Sequence, residues 1–358
     1  MSAGDLLRLA REAEGLTQQQ VSERAGIPQP HVSKLERDWH EPRDEVLGRL
    51  AVALSVTPEF FRLQERFLGA TAAPVHARRR KTSSPKLWRH LEARLNMHRI
   101  RVHRLLEHLD LELPNEIPRL GDEPIEPEEA AQMVRIQWRM PMGPVHDLVG
   151  WLESAGAIVI VEDFGTDRID GLSQWFGAYP VFMVNERAPT DRVRLTLAHE
   201  LGHLALHEEP HEFMEREADR FAAEFLMPGS EVKGALRRPT LSGLVPLKLE
   251  WMVSIQALIE RAYALGTINS QRRTSLWKQL SGRGWRKREP VSDELPPERP
   301  RQLDRVIEAL RSMGTQDAQL VEWACASTGT VMPGPSHLRT PTAPGGAGDG
   351  GSGLRLVR

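Results

Sequence analysis

The chain has 358 residues, 40% hydrophobic and 27% charged, which excludes a wholly disordered chain and a fibrous repeat and fits about two domains. One cysteine, Cys325, excludes an intrachain disulfide framework and zinc held by sulfur. With no run of about 18 apolar residues and no signal-peptide pattern at Met1-Ser2-Ala3-Gly4-Asp5, a cytoplasmic protein without membrane partners is expected.

The net charge of −2 is an average over unequal parts. Residues 1–66 carry 9 Lys/Arg against 11 Asp/Glu, a net of −2. Residues 67–108 carry 10 against 2, a net of +8. A block of that sign suits a polyanion or an acidic partner surface.

In chain order, the apolar spacing of Leu6, Leu7 and Leu9 predicts a first helix that ends at Gly15. Thr17 followed by Gln20 has capping-box spacing and opens a second helix, with Val21 and Ala25 facing inward. Gly26-Ile27-Pro28 is a tight turn. A third helix from Gln29 to Arg37 buries Val32 and Leu35 and offers Gln29, His31, Ser33 and Lys34 on polar positions. A fourth helix carries Leu47, Leu50 and Leu54, and a fifth opens at Pro58. Two short helices joined by a tight turn place the second in a major groove, and a glutamine at its start reaches adenine. Gln18, Ala25, Gly26, Gln29, Ser33, Glu36, Pro42 and Leu50 resemble the phage-repressor (Cro/C1, XRE) type of helix-turn-helix. That resemblance implies DNA contact by Gln18 and Gln29. The chain departs from it at Pro30, which gives up a donor, and at Asp38, which stands where a small, glycine-like residue is usual.

Residues 67–125 read as a basic linker, with Arg78-Arg79-Arg80-Lys81, followed by a connecting helix from Leu87 to about Leu109. The +8 charge would supply phosphate attraction that the head lacks. From Glu126 a second globular region begins. Helices are predicted through Trp138, over 146–155, 191–207, 213–226 and 251–265, with strands at 157–161 and 181–184. Val181 to Val184 is expected to be an edge strand beside the helix at 191–207, ended by Asn185 and open to an extended substrate. A C-terminal extension over 286–327, with one helix near 302–313, and a disordered Gly/Pro/Ser-rich tail over 328–358 complete the chain.

The chemistry concentrates in His199-Glu200-Leu201-Gly202-His203. Residues four apart share a helix face, so His199 and His203 can hold one Zn²⁺, and Glu200 can reach a bound water as general base. Gly202 costs roughly 1 kcal/mol in mid-helix, which suggests a close neighbour. On the next helix Glu215 can complete a His₂Glu set, and Asp219 can accept the outer proton of a ligand histidine. Glu217 is the rival third ligand. His207 and His211 are expected to be solvent-exposed, with a substrate contact as the alternative. Tyr179 and Tyr263 are further candidates for an oxyanion donor.

The span 126–280 resembles the ImmA/IrrE family of zinc metallo-endopeptidases. The resemblance rests on the helix with Trp138, Gly143-Pro144, residues 157–161, Ile169-Asp170-Gly171, the stretch from Pro180 to Asn185, the run from Arg192 to His203, the run from Glu215 to Pro228, Leu247-Lys248, and the segment from Trp251 to Ala262. It implies zinc on His199, His203 and Glu215, catalysis by Glu200, and a transcriptional repressor as substrate, in stress or mobile-element regulation. The expected fold is mainly α with a small β-sheet (α+β): an all-helical head over 1–66, then a gluzincin-like metallopeptidase domain over 126–285. Expected partners are DNA and the repressor, and a homodimer is possible. The alternative is a DNA-binding regulator whose peptidase-like domain senses or docks a partner without cleaving.

Overall fold

The computed structural model describes residues 1–64, 84–121, 124–176, 179–209, 211–326 and the pair 354–355. The basic run 78–81 and all of the tail except 354–355 lie outside the described residues. The fold is α+β, with an all-helical head and a helical body around one three-stranded sheet. Among the described residues, no helix is long and apolar enough to cross a membrane.

In the head, α1 (Ala3–Ala13), α2 (Gln18–Ala25), α3 (Gln29–Leu35) and α4 (Asp44–Ala53) precede a 3₁₀ turn at Pro58–Arg62. Ser2 with Asp5 and Thr17 with Gln20 form full capping boxes on α1 and α2. Pro30 sits in the first turn of α3, where a missing N–H costs no hydrogen bond. Asp38 does adopt the left-handed backbone, with φ 54°. Its carboxylate accepts from Ser2 Oγ at 2.5 Å and the Gly4 N–H at 2.9 Å, so the departure closes α1 onto the end of α3.

The connecting helix α5 (Pro85–Leu106) is a shared beam. One side places Ala93, Met97 and Ile100 in the head core with Leu6, Val32, Leu50 and Phe60. The other side sets Trp88, Leu91, Leu95, Val102 and Leu105 against the sheet and the C-terminal helices. Its positive charge therefore differs from an open basic connector. Arg99 is buried, Arg94 pairs with Glu162 at 2.6 Å, and Arg104 pairs with Glu107 at 2.8 Å. Lys86 and Arg89, at its start, remain exposed.

The body begins with α6 (Pro127–Gln137) and α7 (Leu148–Ser154). The sheet holds β1 (Ile158–Glu162), β2 (Gly171–Phe176) and β3 (Tyr179–Asn185) in the order β1-β3-β2, with β1 parallel and β2 antiparallel to β3. Residues 181–184 thus lie in the central strand, and the expectation of an edge strand there is wrong. Both of its sides are paired, and the edges are β1 and β2, of which β2, which the apolar pattern did not reveal, packs on the helix at 190–206. Alternation along the strands sends Val159, Phe182 and Val184 to the helical core and Ile160, Val181 and Met183 to α5.

Two long helices cover the helical face, α8 (Thr190–Leu206) and α9 (Met214–Leu226). A short turn of helix, α10 (Gly229–Val232), leads to α11 (Leu241–Trp251), α12 (Ile255–Ala264) and α13 (Ser270–Gly282). The predicted helix over 251–265 is α12 alone: Met252 has φ 52° and separates it from α11, which accommodates Pro246. Buried ions fix the first turns of α8. Lys248, fully buried, meets Asp191, Glu289 at 2.8 Å and Ser292 at 2.9 Å. Arg194 meets Glu298 and the carbonyls of Val145 and Met252. Charges at this depth are tolerated because each is paired and hydrogen-bonded. Finally α14 (Gln302–Ser312) and α15 (Asp317–Trp323) lie on α5, and the chain returns to the head, where Ala326 bridges Val56 and Cys325 joins the head core.

Candidate metal centre and reading face

The helix α8 carries three layers of contact with the edge strand. Gly171 lies against Thr196, Ser173 donates to Glu200 Oε2 at 2.6 Å, and Trp175 Nε1 donates to the Leu204 carbonyl at 3.1 Å. Steps of two along the strand meet steps of four along the helix because both rise by about 6–7 Å. A Cβ on Gly171 would stand 2.6 Å from Thr196 Cγ2, so glycine lets the strand approach. Ser173 had no signal in the sequence, since its strand was not recognised.

Helix α9 crosses α8 at Gly202, where a Cβ would lie 3.1 Å from Phe221 and 3.2 Å from Ala218. The close neighbour that the mid-helix glycine suggested is this crossing. It brings Glu215 to the two histidines of α8. His203 Nε2 is 3.0 Å from His199 Nε2 and 3.1 Å from Glu215 Oε1, and His199 Nε2 is 3.8 Å from Glu215 Oε2. A tetrahedral zinc with bonds of about 2.0–2.1 Å has ligand–ligand edges of about 3.3–3.4 Å, so the donor set fits zinc in kind and in spacing. His199 Nδ1 contacts Asp219 Oδ1 at 2.8 Å, the outer partner that orients a ligand imidazole. Glu200 is buried one residue on.

Electrostatics divide the two histidines. Burial and the nearby His199 and His207 push His203 down to about 3, which keeps its imidazole neutral with a lone pair to give. Burial also works against the charged form of His199, but the hydrogen bond and charge of Asp219, with Glu200 and Glu215, outweigh it and raise its pKa.

Glu217 does not join this group. It faces His207 Nε2 at 3.1 Å and His211 Nε2 at 3.5 Å. His207 is not solvent-exposed as expected, for its side chain is 1% accessible. His207 caps the C-terminal end of α8, and its Nδ1 lies 2.9 Å from His203 Nδ1. A cleft of about 1040 Å³ opens beside His199, lined by Thr196, Asp219, Arg220, Tyr263 and Trp277. Tyr263 lines this cleft, whereas Tyr179 packs on the α5 side of the sheet.

In the head, Gln29 Nε2 donates to Gln18 Oε1 at 2.9 Å, and Gln18 Nε2 donates to Glu36 Oε2 at 2.9 Å. Arg11 holds the same carboxylate with two nitrogens, at 2.5 and 3.0 Å. Gln18, Gln29, His31 and Ser33 are half-buried, and Lys34 is exposed. A hollow of about 510 Å³ beside the glutamines is bordered by Lys86, Arg89 and His90 of α5.

Comparison with known proteins agrees with both regions. Residues 7–61 match the helix-turn-helix family model, and residues 152–263 match the peptidase M78 model, described as an IrrE N-terminal-like domain. An uncharacterized HTH-type transcriptional regulator of Mycobacterium tuberculosis, from strain CDC 1551 / Oshkosh and again from strain ATCC 25618 / H37Rv, is 36% identical over 56 residues. That match covers 16% of this chain and 40% of each relative. No solved structure matches the chain. The head thus resembles the XRE-type helix-turn-helix, and the body, over residues 152–263, resembles the ImmA/IrrE (peptidase M78) domain.

Proposed function

We propose that this protein is a DNA-binding regulator whose body is a zinc-dependent endopeptidase that cuts a partner transcriptional repressor. The observation that carries the reading is the convergence of His199, His203 and Glu215 with the buried Glu200 beside them. Bound zinc supplies Lewis acidity toward a water and a peptide carbonyl. Glu200 takes the proton of the attacking water and returns it to the leaving amine. Ser173 holds Oε2, so Oε1 is the oxygen that carries this proton. Asp219 keeps the His199 ring in place, with its proton on Nδ1. The outer side of β2, which pairs with no other described strand, suits an extended peptide, and the cleft beside His199 suits its side chains. The repressor as substrate rests on the resemblance to the ImmA/IrrE family.

Glu200→Gln tests the reaction. Zinc content should stay the same while cleavage of a candidate repressor falls by about 10²- to 10⁴-fold. Cleavage at the wild-type rate would overturn the assignment. A second reading, a regulator that docks its partner without cutting, draws on the short Ser173–Glu200 contact, which occupies one oxygen of the base. It expects wild type and Glu200→Gln to regulate alike.

A further inference from the structure

Beyond the first cluster, one more group of metal-ligand type converges among the described residues: His207, His211 and Glu217. Glu217 Oε2 lies 3.1 Å from His207 Nε2 and 3.5 Å from His211 Nε2. Those spacings bracket the tetrahedral edge of about 3.3–3.4 Å derived above for zinc. The imidazole rings of His207 and His211 have centroids 5.2 Å apart, against 4.7 Å for His199 and His203. The side chain of His207 is 1% accessible, while Glu217 is 29% and His211 43% accessible, so the group has a fixed floor and an open mouth. Two imidazoles and a carboxylate suit zinc and its late first-row neighbours.

The two clusters touch through His203 Nδ1 and His207 Nδ1, 2.9 Å apart. A neutral histidine that gives Nε2 to a metal carries its proton on Nδ1. When His203 binds metal, its Nδ1–H donates to His207 Nδ1, and the proton of His207 is on Nε2, where it donates to Glu217. When His207 binds metal the pattern reverses, and the proton of His203 moves to Nε2, the atom its own metal needs. Two N–H groups cannot face each other at this distance without one losing its partner.

We propose that His207, His211 and Glu217 form a second divalent transition-metal site, and that filling it weakens the first through the single proton shared by His203 and His207. The coupling rests on the first site being His199, His203 and Glu215; the second site itself does not.

The test titrates full-length protein with Zn²⁺ against a competing chelator. Wild type should take up two equivalents, with affinities separated by roughly ten- to hundredfold. His211→Ala, a change at an exposed position, should take up one equivalent. His199→Ala should also take up one, held more tightly than the weaker wild-type equivalent. A single equivalent in wild type that survives His211→Ala would overturn the second site and leave His207 and Glu217 as hydrogen-bond partners of His203. Two equivalents that bind independently would overturn the coupling. A single equivalent that survives His199→Ala and vanishes in His211→Ala would instead sink the first site, so the two failures are distinguishable.

Discussion

In the head, the residues expected to read DNA stand half-open and depend on one another: Gln29 leans on Gln18, Gln18 on Glu36, and Glu36 on Arg11. In the body, His199, His203 and Glu215 are held from outside, by the helix crossing at Gly202, by Asp219 and by the strand that carries Ser173. A chain of polar contacts fails as a unit when its anchor is removed. A site held by packed backbones loses one contact at a time. The largest expected effect therefore belongs to Glu36→Ala. Its side chain is 5% accessible, and its loss removes the two-nitrogen pairing of Arg11, leaving that guanidinium the Leu16 carbonyl and Glu12, and frees Gln18. Removing one partner of a buried ion pair costs about 3–5 kcal/mol. The head should melt earlier by that amount and lose DNA affinity, while zinc uptake by the body stays unchanged. Calorimetry and chelator competition on the same protein would check both halves, and a loss of zinc uptake would break the contrast.

The junction between the regions should be the acid-sensitive part. Glu162, at the end of β1, meets His98 at 2.8 Å and Arg94 at 2.6 Å, both on α5. Burial works to raise its pKa, but the charges and hydrogen bonds of His98 and Arg94 outweigh this and hold the carboxyl down at about 2, against 4.5 ordinarily. A depressed carboxyl stabilises the fold fully above its unfolded value and loses that contribution as pH falls from about 4.5 towards 2. The loss is on the order of 2–3 kcal/mol. Hydrogen exchange along α5 as pH falls through this window should report it, and Glu162→Gln should flatten the dependence. An unchanged profile in that variant would place the acid sensitivity elsewhere.

Within the body, Asp219→Asn should weaken zinc by about 10- to 100-fold, the usual cost of losing the outer partner of a ligand histidine. The fold should be spared, because the Asp219 side chain is 74% accessible. Chelator competition measures the change. An unchanged affinity would mean that His199 is oriented by its packing alone.

What could be read in the sequence follows the same division. Helical spacing places His199, His203 and Glu200, because residues within one turn have a fixed relation, and the head emerged for the same reason. Relations between elements were not legible. Nothing in the residues 181–184 says that both sides will be paired, since strand order is set by packing and not by local pattern. β2 was missed because Ser173 and Gln174 interrupt its apolar residues, although both are buried. His207 reads as a polar helix end, yet its side chain is 1% accessible and meets Glu217 of α9 at 3.1 Å, a relation between elements that no local pattern announces. The choice between Glu215 and Glu217 likewise needed the crossing, which gives each carboxylate its own pair of histidines.

The smallest effect asks which region owns the exposed start of α5. Lys86 and Arg89 border the hollow beside Gln18 and Gln29, although their helix serves the body as much as the head. If they meet phosphates, Lys86→Ala with Arg89→Ala should lower affinity for a random-sequence duplex and reduce the slope of log K against log salt by about 1.8, some 0.9 for each contact. Their long side chains pack little, so stability should hold. An unchanged slope would make the head a self-sufficient reader. The expected reduction would mean that the beam joining head to body is part of the DNA surface, so that any tilt of the body against the head reaches the reading face directly.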